Sequence, residues 1–198
     1  MQPRSKETKA QILASAYQLF SLSGYDATSV AEICQAAGVS KGAFYYHFPT
    51  KQAVFLELME NWLAGLDLAL KRSIQDTQSV PEAIESMADT AAAILQSEKA
   101  RLSIILEFWR QANRDPAIWQ AASAPYERYH SYFSSLIQQG ISDGSLDSVD
   151  PNLAARLLVS LALGLLMQAL FDPQVVDWGS ETQRSVHLLL DYLSSKKA

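Results

Sequence analysis

Residues 28–51, TSVAEICQAAGVSKGAFYYHFPTK, predict two short helices joined by a tight turn. Ser29 and Glu32 have the spacing of a capping box, in which each side chain accepts a hydrogen bond from a free N–H of the first helical turn. Gly38 falls where the chain must turn, because glycine adopts a positive φ at little cost. Ser40 can cap a second helix, which carries the residues KGAFYYH. The stretch therefore predicts a helix-turn-helix.

The second helix has an unusual outer face. Phe44 and Phe48 can turn inward, which leaves two tyrosines, a histidine and a lysine beside small residues on the outside. Small residues at the helix N-terminus allow close approach to a duplex, and hydroxyl, imidazole and ammonium groups can reach phosphates and base edges. Spacing alone also leaves open an ordinary helical hairpin whose tyrosines pack on a neighbouring helix.

The segment GVSKGAFYYHFPTK resembles the signature of the TetR/AcrR family of transcriptional regulators, G-V-S-x-G-x-[FL]-Y-x-[HY]-F-x-[ST]-K. The similarity continues upstream through ILASAYQLF and GYDATSVAEIC and downstream through KQAVFLELM, so that it covers residues 8–60. Cys34 stands where the family often has alanine, and both residues are small. The resemblance implies a DNA-binding head on an all-helical, ligand-sensing body that dimerises. It says little about residues 61–198.

The outer face and the resemblance together give the residues that we expect to contact DNA. They are Thr28, Ser29, Ser40, Lys41, Gly42, Ala43, Tyr45, Tyr46, His47 and Lys51. Lys51 begins the next helix, where it could neutralise a phosphate together with the N–H groups of the first turn. The N-terminal arm with Arg4, Lys6 and Lys9 is a further candidate for phosphate contact, and a solvated terminus is the alternative.

Charge is unevenly distributed along the chain. Residues 1–51 carry five basic and three acidic side chains, hence +2, and the remaining residues carry eleven and eighteen, hence −7. A net charge of −5 argues against a protein that coats nucleic acid non-specifically, whereas a mildly basic head suits a local, oriented contact. One cysteine excludes an intramolecular disulfide. The polar N-terminus shows no signal peptide, so we expect a cytoplasmic protein.

The rest of the chain predicts further helices and no strand-like alternation, so the predicted fold is all-α. We divide it into an N-terminal three-helix head with the helix-turn-helix, residues 1–51, and a C-terminal ligand-binding and dimerisation body, residues 52–198. A long helix over residues 51–75 links them. It is a candidate lever for signalling, or simply a structural strut.

Helix ends in the body are marked by their residue types. Asp115 and Asp150 each precede a proline and are typical of helix N-caps. Gly140 and Gly144, with the polar residues between them, predict the end of the helix that Asp115 begins.

The segment from Leu153 to Phe171 is apolar on almost every side. Its uninterrupted part is shorter than the ~18–20 residues that span a bilayer, so no membrane is expected. A helix of this kind in a soluble protein must be buried on two sides. Together with the last helix it predicts a four-helix interface of a homodimer, and burial within one chain is the alternative. The predicted interface residues are Leu157, Leu161, Gly164, Leu165, Val186, Leu189, Leu190 and Leu193.

Aromatic and sulfur side chains in the body suggest a pocket for a largely apolar effector. Such stripes are more often core than pocket, but the family resemblance implies a cavity among the corresponding helices, where Glu107 and Arg110 could orient a ligand. The predicted pocket residues are Trp62, Trp109, Trp119, Tyr126, Tyr129, His130, Phe133 and Met167.

We find no enzyme signature and expect no cofactor. The three histidines are scattered, with no carboxylate or cysteine at metal-ligand spacing, so no catalytic or metal-binding residue is predicted. The sequence thus predicts a ligand-responsive regulator, most simply a repressor, that binds a palindromic DNA operator as a homodimer. One alternative is a DNA-binding protein of this fold without a small-molecule inducer, controlled by a protein partner or with a chromosomal role. Another is an enzyme or carrier that merely keeps the fold.

Overall fold

A computed structural model of the protein describes residues 3–97, 99–172 and 174–194. The side chains of residues 3, 4, 95, 97 and 99–103 lie outside that description, and with them the expected phosphate contact of Arg4. The described residues form helices and turns without a strand, which confirms the all-α prediction. The helices are α1 (Pro3–Ser23), α2 (Val30–Ala37), α3 (Lys41–His47), α4 (Lys51–Ser73), α5 (Val80–Ser97), α6 (Lys99–Ala112), α7 (Pro116–Asp143), α8 (Pro151–Phe171) and α9 (Trp178–Ser194).

The chain divides into two compact units. The first unit comprises Met1–Ala64 and Ala100–Ala122, and the second comprises Gly65–Lys99 and Ser123–Ala198. The first unit therefore contains the helix-turn-helix together with α6, which is more than the head of residues 1–51 that the sequence suggested. The division into two functional domains stays a prediction.

The first unit is built on aromatic packing. Phe20, Phe44 and Phe48 are almost fully buried, as is Phe55 of α4. The Phe20 and Phe55 rings meet edge to face at 5.5 Å, and Phe55 lies 5.4 Å from Phe108 of α6. Such ring pairs stabilise a core beyond their buried area. Ring packing thus joins α1, α4 and α6, and the helix-turn-helix packs on α1.

Local signals set the helix ends as predicted. The Ser29 hydroxyl accepts from the Glu32 N–H at 3.2 Å, and the Glu32 carboxylate accepts from the Ser29 N–H at 2.7 Å, which completes the capping box. Gly38 ends α2 with φ +66°, a left-handed conformation that glycine adopts without strain. Asp115 and Asp150 accept hydrogen bonds from the first N–H groups of α7 and α8.

The second unit packs α5, α8 and α9 around a core to which α7 contributes Ile137. α7 continues past Gly140 to Asp143, so of the two glycines predicted to mark its end it is Gly144, with φ +78°, that follows the helix. A Cβ on Gly140 would lie 2.8 Å from Leu146 Cδ1 and 3.0 Å from Val80 Cβ. The glycine is therefore required by close packing and not by a helix end.

α8 is long and apolar enough to cross a membrane by length and composition, with a mean hydropathy of 1.9 over its most apolar window. The core helix of a soluble protein meets the same criterion. Ala155 and Leu158 of α8 are buried in the core of the second unit, whereas Leu153 and Leu157 are about half exposed. Within the part of the chain that the structure describes, one side of α8 is therefore covered and the other is not.

Candidate nucleic-acid interface

The outer face of α3 is open to solvent. Tyr46 is 78% exposed and Tyr45 is 54% exposed, and Lys41 and Gly42 beside them are also exposed. His47 is half-buried and meets the Tyr46 ring edge-on at 5.0 Å. A hairpin whose tyrosines pack on a neighbouring helix would bury them. The exposure therefore argues against that alternative.

The opposite face of α3 fixes the helix in place. Phe44 is fully buried and Phe48, directly after the helix, is 2% exposed. The Ser40 hydroxyl accepts a hydrogen bond from the Ala43 N–H at 3.1 Å, which caps the first turn. Ala43 is half-buried. The exposed side chains of α3 are thus carried by a short but firmly anchored helix.

Gly42 has no role that the chain itself explains. A Cβ there would meet only Ser40 Oγ, at 3.8 Å, which is ordinary van der Waals contact. Its φ is not positive, so the backbone does not require glycine. Glycine nevertheless destabilises a helix relative to alanine. The absence of a side chain at Gly42 therefore leaves room on the outer surface of α3.

Thr28 and Ser29 lie at the entrance to α2, with different exposure. Thr28 is 3% exposed, and its hydroxyl donates to the Gly24 carbonyl at 2.8 Å. Its side chain is therefore used inside the unit, contrary to the exposed contact that the sequence suggested. Ser29 is exposed and carries the N-cap hydroxyl of α2.

Lys51 also has internal partners. Its ammonium group donates to the Tyr25 carbonyl at 2.7 Å and to the Thr28 carbonyl at 2.8 Å, and lies 4.2 Å from the centre of the Tyr25 ring. Burial lowers the pKa of Lys51, although the neighbouring carboxylates oppose that shift. A phosphate would have to compete with these two carbonyl groups for the ammonium of Lys51. The contacts therefore favour a role in which Lys51 holds the turn that precedes α2.

Lys9 of α1 is paired as well. Its ammonium group lies 2.7 Å from the Glu57 carboxylate of α4 and 5.4 Å from the centre of the Phe48 ring. Of the N-terminal basic residues suggested by the sequence, Lys6 is the one that is exposed and has a described side chain.

Glu107 and Arg110 of α6, which the sequence suggested as groups that could orient a ligand, bind the turn between α1 and α2. The Glu107 carboxylate accepts from the Tyr25 N–H at 3.1 Å, and Arg110 lies 3.1 Å from the Asp26 carboxylate. Burial raises the pKa of Glu107, but hydrogen bonds from Arg110, Gln111 and Tyr25 outweigh it and hold the pKa below its usual value. Only the fold reveals this contact, because its partners lie more than eighty residues apart.

The predicted pocket residues are divided between the two units. Trp62, Trp109 and Trp119 belong to the first unit, and Tyr126, Tyr129, His130, Phe133 and Met167 belong to the second. Trp119 is 58% exposed. Phe133 packs against the core of the second unit. The Tyr129 hydroxyl donates to Asp67 of α4, and burial, together with this bond, raises the pKa of Tyr129.

Two of the predicted pocket residues do line a cavity. Tyr126 and His130 stack at 6.4 Å and border an open groove of about 300 Å³ between α7 and α8. Glu127, Ser131 and Arg156 complete its walls, so the groove has charges of both signs. Its lining is more polar than the sequence suggested. His130 also lies 3.1 Å from the Asn152 carbonyl.

The predicted dimer residues fall into two groups. Four of them are buried within their own chain and offer little surface to a partner: Leu165, Val186, Leu190 and Leu193. Leu157 is 50% exposed, whereas Leu161, Gly164 and Leu189 are half-buried. A Cβ on Gly164 would meet nothing within 4 Å. The exposed side of α8 is therefore available to another chain, and the buried side of α9 is not.

The exposed apolar side of α9 was not predicted from the sequence. Leu188 is 72% exposed and Tyr192 is 75% exposed, and they lie one helical turn apart. Leu153 and Phe171 extend the exposed side of α8 in the same way, at 55% and 74%. The spacing of Leu188 and Tyr192 is the signal that could have revealed this second stripe.

The described residues contain no group of three or more histidine, cysteine, aspartate or glutamate side chains that could hold a metal ion. The sequence contains one cysteine, Cys34, which is buried in α2.

Comparison with known proteins matches both parts of the chain. Residues 12–58 match the family model described as bacterial regulatory proteins, tetR family. Residues 80–196 match the model described as BetI-type transcriptional repressor, C-terminal. The HTH-type transcriptional regulator AcrR of Shigella flexneri is 29% identical over 197 residues, which cover 94% of this chain and 89% of AcrR.

Solved structures share the fold over nearly the whole chain. A TetR transcription regulator from Haloarcula marismortui matches with a TM-score of 0.85 at 17% identity, covering 96% of this chain and 100% of that chain. FadR of Bacillus subtilis, crystallised in complex with stearoyl-CoA, matches with a TM-score of 0.80 at 18% identity, covering 91% of this chain and 97% of FadR. At these identities the similarity concerns the fold alone.

Proposed function

The chain belongs to the TetR family of bacterial regulatory proteins, and from this premise we propose that it represses transcription as a homodimer bound to a palindromic DNA operator. The family consists of transcriptional regulators and not of enzymes. The observation that carries the proposal is the outer face of α3, with two exposed tyrosines, a lysine and a glycine on a buried phenylalanine anchor.

The face of α3 suits the major groove of a duplex. Lys41 and Tyr45 project from exposed positions where they can reach base edges, and Tyr46 can donate its hydroxyl to a phosphate. Gly42 lets the backbone approach the groove closely. The hydroxyls of Ser29 and Ser40 cap α2 and α3 near the same face and can contact the backbone, with Ala43 and His47 at the edge of the contact.

We assign Thr28 and Lys51 a supporting role in this interface. Both are bonded to the turn that precedes α2, so they hold the reading helices and do not need to touch DNA. This changes the role of Lys51 from phosphate ligand to positioning residue. Among the described side chains of residues 1–51, Lys41 and Lys6 are exposed and offer positive charge for phosphate contact.

The homodimer would form through the exposed sides of α8 and α9. Exposed apolar side chains lie on both helices, and no described residue of the same chain covers them: Leu153, Leu157 and Phe171 on α8, and Leu188 and Tyr192 on α9. Burial of this surface against a second chain is favourable by the hydrophobic effect. The two α3 helices of the dimer would then enter successive major grooves, which lie about 34 Å apart.

We further propose that a small effector binds the second unit and lowers operator affinity. The groove bordered by Tyr126, His130 and Arg156 offers aromatic surface with a few charged groups, as ligand sites commonly do. FadR, whose fold is similar, was crystallised with stearoyl-CoA, which supports a ligand-responsive body in principle. Control by a protein partner without an inducer is the alternative. We also infer that the protein is cytoplasmic, where its DNA lies.

The test begins with selection of duplexes from a random-sequence library by the full-length chain. We expect an enriched palindromic site, bound at least 10³-fold more tightly than random DNA by fluorescence anisotropy. Lys41→Ala and Tyr45→Ala should reduce that preference, whereas Tyr46→Ala should weaken binding to both duplexes alike. No enriched sequence would refute the proposal. Release of DNA by metabolite extracts would then separate the inducible regulator from the inducer-free alternative.

A further inference from the structure

The turn between α1 and α2, residues 24–29, is held by α6. The Tyr25 N–H donates to the Glu107 carboxylate at 3.1 Å, and the Glu107 side chain is only 13% exposed. Hydrogen bonds to a charged acceptor are among the stronger ones in proteins, and partial burial shields this one from water. One carboxylate of α6 thus fixes the backbone that leads into α2.

Two arginines extend this contact along the turn. Arg110 donates to both oxygens of Glu107, at 2.8 and 3.0 Å, and to Asp26 at 3.1 Å. Arg114 donates to the same Asp26 oxygen at 3.2 Å. Gln111 adds a hydrogen bond to Glu107 at 2.9 Å. The α6 contact, by which we mean Glu107, Arg110 and Arg114 with Tyr25 and Asp26, is therefore a network and not a single bond.

The same turn is held from its other side by α4. Lys51, the first residue of α4, binds the carbonyl groups of Tyr25 and Thr28, and the Tyr25 ring lies 4.7 Å from Phe55. Phe55 in turn contacts Phe108, the neighbour of Glu107 in sequence. A change in the position of α6 would therefore reach the turn through both hydrogen bonds and ring packing.

The α6 contact joins two parts of the chain that match different family models. Residues 24–29 lie within the match to the DNA-binding model, residues 12–58, and Glu107 lies within the match to the C-terminal model, residues 80–196. Both nevertheless belong to the first compact unit. A helix of the C-terminal match is thus part of the structure that carries the reading helices.

We propose that Glu107 is a positioning residue for DNA binding, which holds residues 24–29, and with them α2 and α3, in the arrangement that fits the operator. This inference rests on the proposed function, and it assigns the control of operator binding to the α6 contact. A movement of α6 would loosen the turn and lower operator affinity. Linkage then requires that operator binding tighten the α6 contact by the same factor.

Arg110 and Arg114 suggest a competing explanation, in which they bind phosphates directly and Glu107 only reduces their charge. The two explanations differ for Glu107→Gln. If Glu107 acts only through its charge, its removal strengthens binding to every duplex. If it positions the turn, its removal weakens operator binding and leaves the salt dependence unchanged, because no phosphate contact is lost.

The experiment compares the unsubstituted chain with Glu107→Gln and Arg110→Ala. Glu57→Gln is the matched control, because it removes a carboxylate from an ion pair between α1 and α4 in the same unit without touching the turn. Affinity is measured for the library-selected duplex and for random DNA over a range of salt concentrations, at temperatures where every variant is folded. Exchange of the Tyr25 amide hydrogen is measured by NMR with and without the selected duplex.

We expect Glu107→Gln to weaken operator binding about tenfold, because the neutral amide keeps one oxygen for the Tyr25 N–H but loses the charge and the second acceptor for Arg110. Glu57→Gln should change operator binding less than twofold. Arg110→Ala should weaken it in the same direction. The Tyr25 amide should exchange slowly in the unsubstituted chain, more slowly still with DNA, and faster in Glu107→Gln, where its acceptor is no longer charged. Because DNA binding stabilises the whole folded state, a coupled contact predicts that this additional protection is larger at the Tyr25 amide than at the amides of α1 and α4.

Three results would overturn the inference. They are unchanged operator affinity in Glu107→Gln, tighter binding of that variant to both duplexes, or a Tyr25 amide that exchanges as fast in the unsubstituted chain as in the variant. Lack of sequence preference in the unsubstituted chain would instead refute the proposed function, and the positioning role with it. The binding of the unsubstituted chain therefore distinguishes the two failures.

Discussion

Replacement of Gly42 by alanine should make the protein more stable and a weaker DNA binder. In a helix, alanine is favoured over glycine by about 0.5–1 kcal/mol, and we expect the lower half of that range because Gly42 lies in the first turn of α3. Nothing in the chain opposes the substitution, since the new Cβ meets only Ser40 Oγ at 3.8 Å and φ is not positive. The folded head should therefore accept the methyl group without rearrangement.

The effect on DNA binding should have the opposite sign. The methyl group would project from the exposed face of α3 that we place against the groove, between Lys41 and Ala43 in sequence. A helix held away from the groove loses part of its base contacts, and each good contact contributes about 1–3 kcal/mol to discrimination. We therefore expect operator affinity to fall at least tenfold, with a smaller effect on random DNA.

Thermal unfolding and anisotropy titration measure the two effects on the same preparations. Gly65→Ala is the matched control, because Gly65 lies in α4, is exposed, and a Cβ there would meet nothing within 4 Å. It should gain about 1 kcal/mol of stability, as expected for an interior helix position, and keep its operator affinity. A Gly42→Ala variant that binds the operator as tightly as the unsubstituted chain would refute the placement of this face in the groove.

Three further results should follow from the described contacts. Lys51→Ala should lower the free energy of unfolding by about 1–3 kcal/mol through loss of hydrogen bonds to two carbonyl groups. The salt dependence of its DNA binding should match that of the unsubstituted chain. If the slope of log affinity against log salt concentration were instead reduced by about one, Lys51 would have to be a phosphate ligand after all. Leu157→Glu should yield a folded monomer in sedimentation that no longer binds operator. Leu190→Ala should instead lower the free energy of unfolding by about 2–5 kcal/mol, because Leu190 is 3% exposed. The pKa of Glu107 is depressed in the folded state, so the stabilisation that its charge contributes is present above its unfolded-state pKa and is lost as the pH falls through the folded-state pKa. Denaturant titration should therefore show that the difference in unfolding free energy between the unsubstituted chain and Glu107→Gln shrinks below about pH 4.

Short-range signals predicted the fold well. The family resemblance carried by residues 38–51 is confirmed by the family matches, and the capping residues lie where their spacing placed them. A cap joins residues two or three positions apart, so its physics is contained in the sequence itself. The inward turn of Phe44 and Phe48 followed from helical periodicity for the same reason.

Contacts between distant residues could not be predicted in this way. A lysine at the start of a helix next to a DNA-binding motif is expected to bind phosphate, and only the folded turn shows two carbonyl groups within 2.8 Å of its ammonium. Likewise, α9 has apolar residues on two sides. Because α5 and α8 both pack against α9, the stripe with Val186 and Leu190 is buried inside the chain, and the stripe with Leu188 and Tyr192 is left exposed.

Glycines in helices show most clearly what structure adds to sequence here. Gly140 is required by its neighbours, since a side chain would collide with Leu146 and Val80, so its explanation lies inside the chain. Among the described residues a Cβ on Gly42 would meet only Ser40 Oγ at 3.8 Å, and a Cβ on Gly164 would meet nothing within 4 Å, so both positions have room for a side chain. A helix that carries a glycine without internal need gives up stability at that position. For Gly42 the benefit that we propose is close approach to DNA, and for Gly164 it is close approach of the partner chain across α8. The close approach proposed at Gly42 serves the contact with the groove, and the one proposed at Gly164 serves the contact between the two chains. A dimer bound to its operator needs both contacts at once.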